Sequence, residues 1–315
     1  MNSGIVDLAV ARPGELIGNE RFEAIGLTDE WIRRRTGIAG RHWLPADGSL
    51  AELAAAACAP VIERTADDNA IGALLVINTS TRQRIPGIAQ EIAERAGLTG
   101  SVMALDMNAA CCGFVFGLVN ALSLCDSGRV GSVLVCTAEA MSAVVDRTDR
   151  KTACLFGDGA AAVLVAARPE FRPFHCVAGG DGAGAALMRE DPAGGIQLDG
   201  ISVYHRAVRK MSESARRLFD VDPKPSVLVG HQANGRILEQ IRLHTADLGV
   251  PFVNRIAHSA NTCSATIPLA LADELDAAAL PPRGRLGAVA YGAGESWGGV
   301  SVDYDLRRAA GPRAG

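Results

Sequence analysis

Three side chains that could do chemistry stand at the same kind of position in this sequence. Cys111 lies where the strand-like run SVMALDM (101–107) gives way to a long apolar stretch, 111–126, with helical character. A thiol at such a junction faces unpaired backbone N–H groups and the positive end of the helix dipole. Both stabilise a thiolate. A thiolate is a strong nucleophile and a good leaving group, suited to accepting an acyl group from a thioester. Taken alone the position is weak, because a cysteine in an apolar helix is ordinarily a packing residue. His231 follows the strand-like SVLVG and opens a helix near Asn234, in GHQANGRIL. Asn261 follows PFVNRIA and precedes the helical SATIPLALADEL. In an open parallel sheet, strand-to-helix turns share one end, where active sites collect.

The elements that must hold these turns read as alternating strands and helices. Strand-like runs are GIVDLAV, ALLVIN, SVMALDM, SVLVCTA and AAAVLVAA, then SVLVG, PFVNRIA, RLGAVAY and GVSVDYD. Helical stretches are 50–66, 87–96 and 111–126, then 203–218, 234–248 and 264–279. The alternation predicts an α/β fold with mainly parallel sheets. Short continuous apolar runs fit strands covered on both faces. Each half of the chain closes on two strands with no helix between them, which suggests a duplicated architecture. The segment 168–195 is expected to hold the crossover, with a surface loop at 189–195. The tail RRAAGPRAG is expected to be disordered.

The chain has 315 residues, 48% hydrophobic and 21% charged, with a net charge of −4. That size and balance suit two fused globular units and give no reason to expect nucleic acid or an anionic membrane as partner. None of the eight cysteines forms C-x-x-C or has zinc-ligand spacing to a histidine, so no metal is expected. Most read as small core residues of a reducing cytoplasm, and no signal peptide is visible. The uncharged stretch 107–125 is nearly long enough to span a bilayer and contains Gly113-x-x-x-Gly117. Its internal Asn and Ser residues favour a buried central helix, with the glycines admitting another helix. The run GGDGAGA (179–185) lacks the G-x-G-x-x-G spacing between strand and helix, so it is not read as a nucleotide site.

Seven ordered motifs resemble the β-ketoacyl-acyl-carrier-protein synthase III family of condensing enzymes over about residues 28–302. They are TDEWIRRRTGI (28–38), DMNAACCGF (106–114), DRTDRKT (146–152), LFGDGA (155–160), HQANGRI (231–237), NTCSATIP (261–268) and YGAGESWG (291–298). The resemblance implies the thiolase fold: two similar βα halves packed as a five-layered α-β-α-β-α sandwich. Residues 1–165 would carry the nucleophile and 166–315 the histidine and asparagine. The cysteine of the family's DxxxACxG motif falls on Cys111, its HQAN histidine on His231, and the asparagine of its NTS motif on Asn261. Cys111 would take an acyl group from acyl-coenzyme A. Malonyl-acyl-carrier protein would then lose carbon dioxide, with His231 and Asn261 holding the enolate oxygen. The backbone N–H groups of Cys111 and Ala293 would form the oxyanion hole.

The resemblance also implies coenzyme A contacts at Trp31, Arg35, Thr36, Arg150 and Asn234, a carrier-protein face at Arg236, and an acyl pocket at Ile85, Phe156 and Tyr291. An indole and a guanidinium can sandwich an adenine. Cys112 and the LFGDGA turn, Asp158 included, are read as structural. The implied partners are acyl-coenzyme A, an acyl carrier protein and a second copy of the chain, with no resident cofactor. The sequence departs from the family pattern at Ala293 and Glu295, at Ile85, and at Ser202 and His205. Glu295 is expected near the pocket, altering acyl choice or proton handling; Ile85 implies a starter other than acetyl alone; Ser202 and His205 imply altered coenzyme or carrier contacts. The rival readings are a relative that only transfers the acyl group, to a carrier protein, alcohol or amine, and a non-catalytic partner subunit. The Cys–His–Asn set favours condensation, because Asn261 is needed mainly for the enolate.

Overall fold

The computed structural model describes residues 1–65, 71–98, 100, 102–192 and 194–306. The tail at 307–315, read above as disordered, lies outside the described residues.

The N-terminal part comprises β1 (Asn2–Ala11), β2 (Leu16–Gly18), α1 (Asp29–Thr36), β3 (Gly40–His42), α2 (Leu50–Arg64), β4 (Ile71–Ile77), α3 (Ala89–Arg95), β5 (Met103–Met107), α4 (Gly113–Asp126), β6 (Ser132–Ala140) and β7 (Asp158–Arg168). There follow β8 (His175–Gly180), β9 (Met188–Glu190), β10 (Ile196–Leu198), α5 (Gly200–Leu218), β11 (Val227–Gly230), α6 (Gly235–His244), β12 (Phe252–Val253), α7 (Ile256–Ser259), α8 (Thr266–Asp276), β13 (Arg283–Gly292) and β14 (Ser296–Asp305).

Five strands of the first part lie in the order β5-β4-β6-β7-β1, and five of the second in the order β12-β11-β13-β14-β8. Numbered within its own half, each sheet runs 3-2-4-5-1. In each, the first three strands of that order are mutually parallel and the last two pairings are antiparallel. The sheets meet where β1 pairs in parallel with β14, Ile5 opposite Tyr304.

The layers follow from which face each helix covers. α2 packs on β1, β6, β7 and α3, while α5 packs on β13, β14, β8 and α6. Between the sheets lie α4 and α8, each touching strands of both halves. This is the five-layered thiolase arrangement. The strand β6, SVLVCTAEA, is buried at all nine positions: α2 covers one side and α4 the other, so no residue of it needs to be polar for water.

Four local expectations are corrected. Within PFVNRIA only Phe252–Val253 is strand, and α7 begins at Ile256. The segment 168–195 contains an edge strand, β8, paired with β14. Each sheet is mixed rather than mainly parallel in its pairings, because its fourth strand, β7 or β14, runs against the other four. The glycines of α4 admit a strand side chain, not a helix: a Cβ on Gly113 or Gly117 would meet Ile77 of β4 at 2.4 or 2.6 Å. Among the described residues no helix is long and apolar enough to cross a membrane.

Candidate active site

Two topologically equivalent turns build the centre. The chain runs from the third strand of each half, β5 or β12, to the central helix, α4 or α8, and enters that helix through a short 3-10 turn: Ala110–Cys112 in one half and, after α7, Cys263–Ala265 in the other. Each approach contains an alanine in the left-handed half of backbone space, Ala110 at φ 45° immediately before Cys111 and Ala260 at φ 54° immediately before Asn261. Cys263 follows at φ 49°. For residues with a Cβ such values cost on the order of 1–3 kcal/mol each. Three of them concentrated at two matching turns mark a centre that the surrounding packing holds in place.

Cys111 is 6% exposed at the base of a cleft of about 280 Å³. His231 and Asn261 line the same cleft. The Cys111 sulfur lies 3.9 Å from that of Cys263. The Cys111 thiol is held well below its ordinary pKa, first by the Cys263 S–H, which donates to it, and against the cost of burial. The charge and hydrogen bond of His231 and the N–H of Cys111 itself add to the effect. Cys263 is pushed in the opposite direction by the same bond, by burial and by the negative charge of Cys111. Cys111 is therefore the more acidic thiol of the pair. The neighbouring Cys112 faces away: it donates to the Ser296 carbonyl at 3.3 Å, and burial raises its pKa to about 12.

The other two side chains are held from behind. Asn261 Oδ1 accepts the Cys263 N–H at 2.9 Å, which fixes the amide and leaves its NH₂ as the donor end. The backbone of Asn261 is paired with LFGDGA: Asn261 N donates to Leu155 O and Gly157 N to Asn261 O, both at 3.0 Å. His231 Nδ1 lies 2.7 Å from Thr266 Oγ1, which is also 3.2 Å from Cys263 O. The Thr266 hydroxyl has one proton to give. In the tautomer where Nδ1 accepts that proton, the ring carries its own on Nε2.

Glu139, at the end of β6, ties the frame together. It is fully buried, and its oxygens accept from Thr79 N at 3.0 Å, Ser80 N at 3.2 Å and Ser264 Oγ at 2.5 Å. Burial raises its pKa to about 7, against the pull of those donors. Asp158 plays a similar part for another loop, accepting from Ser142 N and Oγ and from Leu44 N.

The residues singled out in the sequence divide cleanly. Trp31, Arg35, Thr36, Asn234, Phe156 and Tyr291 line the cleft, and the Arg35 guanidinium lies 5.8 Å from the Trp31 ring centre. Arg150 does not line it; its guanidinium donates to Gly26 O at 2.9 Å, and Lys151 lines the cleft instead. Arg236 borders an adjoining groove with Arg35 and His205. Ser202 donates its N–H and hydroxyl to Asp199, which caps α5. Ile85 is 95% exposed and lies outside the cleft of its own chain. Ala293 avoids positive φ, so its methyl brings no strain, and Gly292 beside it is packed so closely that a Cβ would sit 3.1 Å from Cys111 N.

Glu295 corrects an expectation. It is buried, but its carboxylate is paired with Arg206 of α5 rather than turned into the cleft. Gly294 at φ 77° and Glu295 at φ 50° turn the chain away at that point. Sequence reasoning missed Cys263, Thr266 and Glu139. Only Cys263 carried a readable signal, as the third residue of the triplet that begins with Asn261.

An acidified thiol, an imidazole and a primary amide around one cleft, with a backbone N–H at the sulfur, define a thiolase-fold centre for acyl transfer through a thioester. Two family models match, 3-oxoacyl-(acyl-carrier-protein) synthase III over residues 105–175 and its C-terminal counterpart over 224–304. A Streptomyces coelicolor β-ketoacyl-(acyl-carrier-protein) synthase III is 35% identical over 95% of this chain and 96% of its own. The crystal structure of 3-oxoacyl-(acyl carrier protein) synthase III from Pseudomonas aeruginosa superposes with a TM-score of 0.88 at 31% identity, covering 97% of this chain and 99% of that one. A priming β-ketosynthase from a polyketide biosynthetic pathway also reaches 0.88, at 29% identity over 97% of each chain. The chain belongs to the β-ketoacyl-acyl-carrier-protein synthase III family of condensing enzymes.

Proposed function

We propose that this protein loads an acyl group from acyl-coenzyme A onto Cys111 and condenses it with malonyl-acyl-carrier protein. The observation that carries the reading is the gathering of Cys111, His231 and Asn261 around one cleft, with the Cys111 thiol held well below its ordinary pKa. In the first half-reaction the Cys111 sulfur attacks the thioester carbonyl, and coenzyme A leaves as its thiol. The N–H groups of Cys111 and Ala293 stabilise the oxyanion. In the second, the malonyl carboxylate leaves as carbon dioxide. The charge moves onto the thioester oxygen, where His231 Nε2–H and the Asn261 NH₂ donate to it. The enolate carbon then attacks the acyl-sulfur carbonyl, and Cys111 leaves as thiolate, ready for another cycle. No carboxylate need serve as base, because decarboxylation itself supplies the carbanion.

Trp31, Arg35, Thr36 and Asn234 would hold the coenzyme and then the carrier's phosphopantetheine in the cleft. Arg236 would meet the acidic carrier protein. Arg150 would meet the coenzyme outside the cleft. Phe156 and Tyr291 would line the acyl end. The reading includes a cytoplasmic homodimer in which Ile85 of one subunit covers the acyl end of the other's cleft, a role that its exposure permits.

Intact-protein mass spectrometry with a panel of acyl-coenzyme A thioesters, followed by malonyl-carrier protein, tests this. Wild type should gain one acyl group and then yield a β-ketoacyl product, and Cys111→Ala should gain none. Acyl transfer without release of carbon dioxide would overturn the condensation step.

A further inference from the structure

We propose that Cys111 and Cys263 form a reversible disulfide, so that the centre can be closed by peroxide and reopened by a thiol reductant. The geometry carries the inference. The two sulfurs are 3.9 Å apart and in mutual contact, and a disulfide needs about 2.05 Å. Their two 3-10 turns pack against one another. No other cysteine in the chain combines this proximity with a place at the cleft: Cys111 lines it, whereas Cys112 faces the Ser296 carbonyl and Cys176 is exposed on β8.

The chemistry balances in two steps. The Cys111 thiolate attacks one oxygen of hydrogen peroxide, forming a sulfenic acid and releasing hydroxide. The Cys263 sulfur then attacks the sulfenic sulfur. Its proton goes to the departing hydroxyl, and water leaves as the S–S bond forms. Two thiols lose two electrons and the peroxide gains them, ending as two waters. Cys263, 3.9 Å from the sulfur that is oxidised, thus serves as the resolving thiol. It removes Cys111 from the irreversible path to sulfinic acid. Reduction by a dithiol restores both. The inference rests on the thiolate of Cys111, as the proposed function does, but its test uses no acyl substrate, so either can fail without the other.

The full chain would be treated with graded hydrogen peroxide, alkylated with iodoacetamide and mapped by non-reducing peptide mass spectrometry. The expected result is a peptide pair joined through Cys111 and Cys263, lighter by two hydrogens, that returns as two alkylated peptides after dithiothreitol. Cys176 provides an exposed comparison within the same molecule. In Cys263→Ser no such pair forms, and Cys111 advances to sulfinic acid that dithiothreitol does not reverse. Sulfinic acid on wild-type Cys111 with Cys263 still alkylatable would overturn the proposal, as would a bridge between Cys111 and Cys112. The wild-type map decides the matter even if the variant fails to fold.

Discussion

Replacing Thr266 with valine removes one oxygen from behind His231 and little else. Thr266 and His231 are each 2% exposed, and the bond between Oγ1 and Nδ1 is 2.7 Å long. Water has no ready path to replace it, so Nδ1 would be left without its partner. Stranding a buried polar group costs about 1–3 kcal/mol. If that cost falls on the imidazole that must donate from Nε2, the decarboxylation rate drops roughly 5- to 150-fold. Transfer of the acyl group to Cys111 does not use Nε2–H as a donor to the enolate, so the loading step should fall much less. The assay separates the two: single-turnover acylation by acyl-coenzyme A on one side, release of carbon dioxide from malonyl-carrier protein on the other. Thr266→Ser, which keeps the hydroxyl, should restore most of the loss. Wild-type decarboxylation by Thr266→Val, or an equal fall in both steps, would refute the role given to this bond.

Three further outcomes are expected. The folded pKa of Glu139, about 7, lies above its ordinary value of 4.5, so its contribution to stability is greatest below pH 4.5 and is lost as pH rises through 7. That loss amounts to as much as about 3 kcal/mol; urea denaturation at pH 5 and pH 8 should therefore shift the comparison toward Glu139→Gln at the higher pH, and an unchanged difference would contradict the burial argument. Trp31→Ala should raise KM for acyl-coenzyme A about tenfold with kcat retained, the order of one lost stacking contact, as measured by initial rates across coenzyme thioester concentrations. Glu295→Gln should lower the thermal midpoint by weakening the pair with Arg206, and a competition assay among starter thioesters should find the preference unchanged.

Much of this architecture could be read from side-chain pattern because both sheets are sealed. Strands such as β6 and β7 are covered on two faces and spell themselves as largely apolar runs. The edges were harder. β8, HCVAGG, has one ladder partner and mixed burial, and its glycines and place in a Pro- and Gly-rich segment look like a connection. β12 is two residues long before α7 begins, too short for periodicity to register. Cys111 and His231 were legible because each stands at a strand-to-helix turn, and Asn261 because it opens the matching turn into α8, although α7 precedes it. The groups that hold them were not. Glu139 is one acidic residue at the end of an apolar strand, and only the fold shows that four donors from two other segments meet it. Glu295 misled for the opposite reason: two positive-φ residues in succession turned its side chain toward Arg206, which adjacency to Ala293 in sequence could not reveal.

The pairing of β1 with β14 has a consequence for how the protein is made. Tyr304 leaves the ribosome about 300 residues after its partner Ile5, roughly 15–60 s at ordinary rates of synthesis. Through that interval β1 can rest on β7, but the sheet to which β14 belongs is incomplete. Cys111 is already present and His231 and Asn261 follow late, so the nucleophile has no histidine and no finished cleft until the last strands have paired. Synthesis from one end therefore delays reactivity until the sandwich is closed.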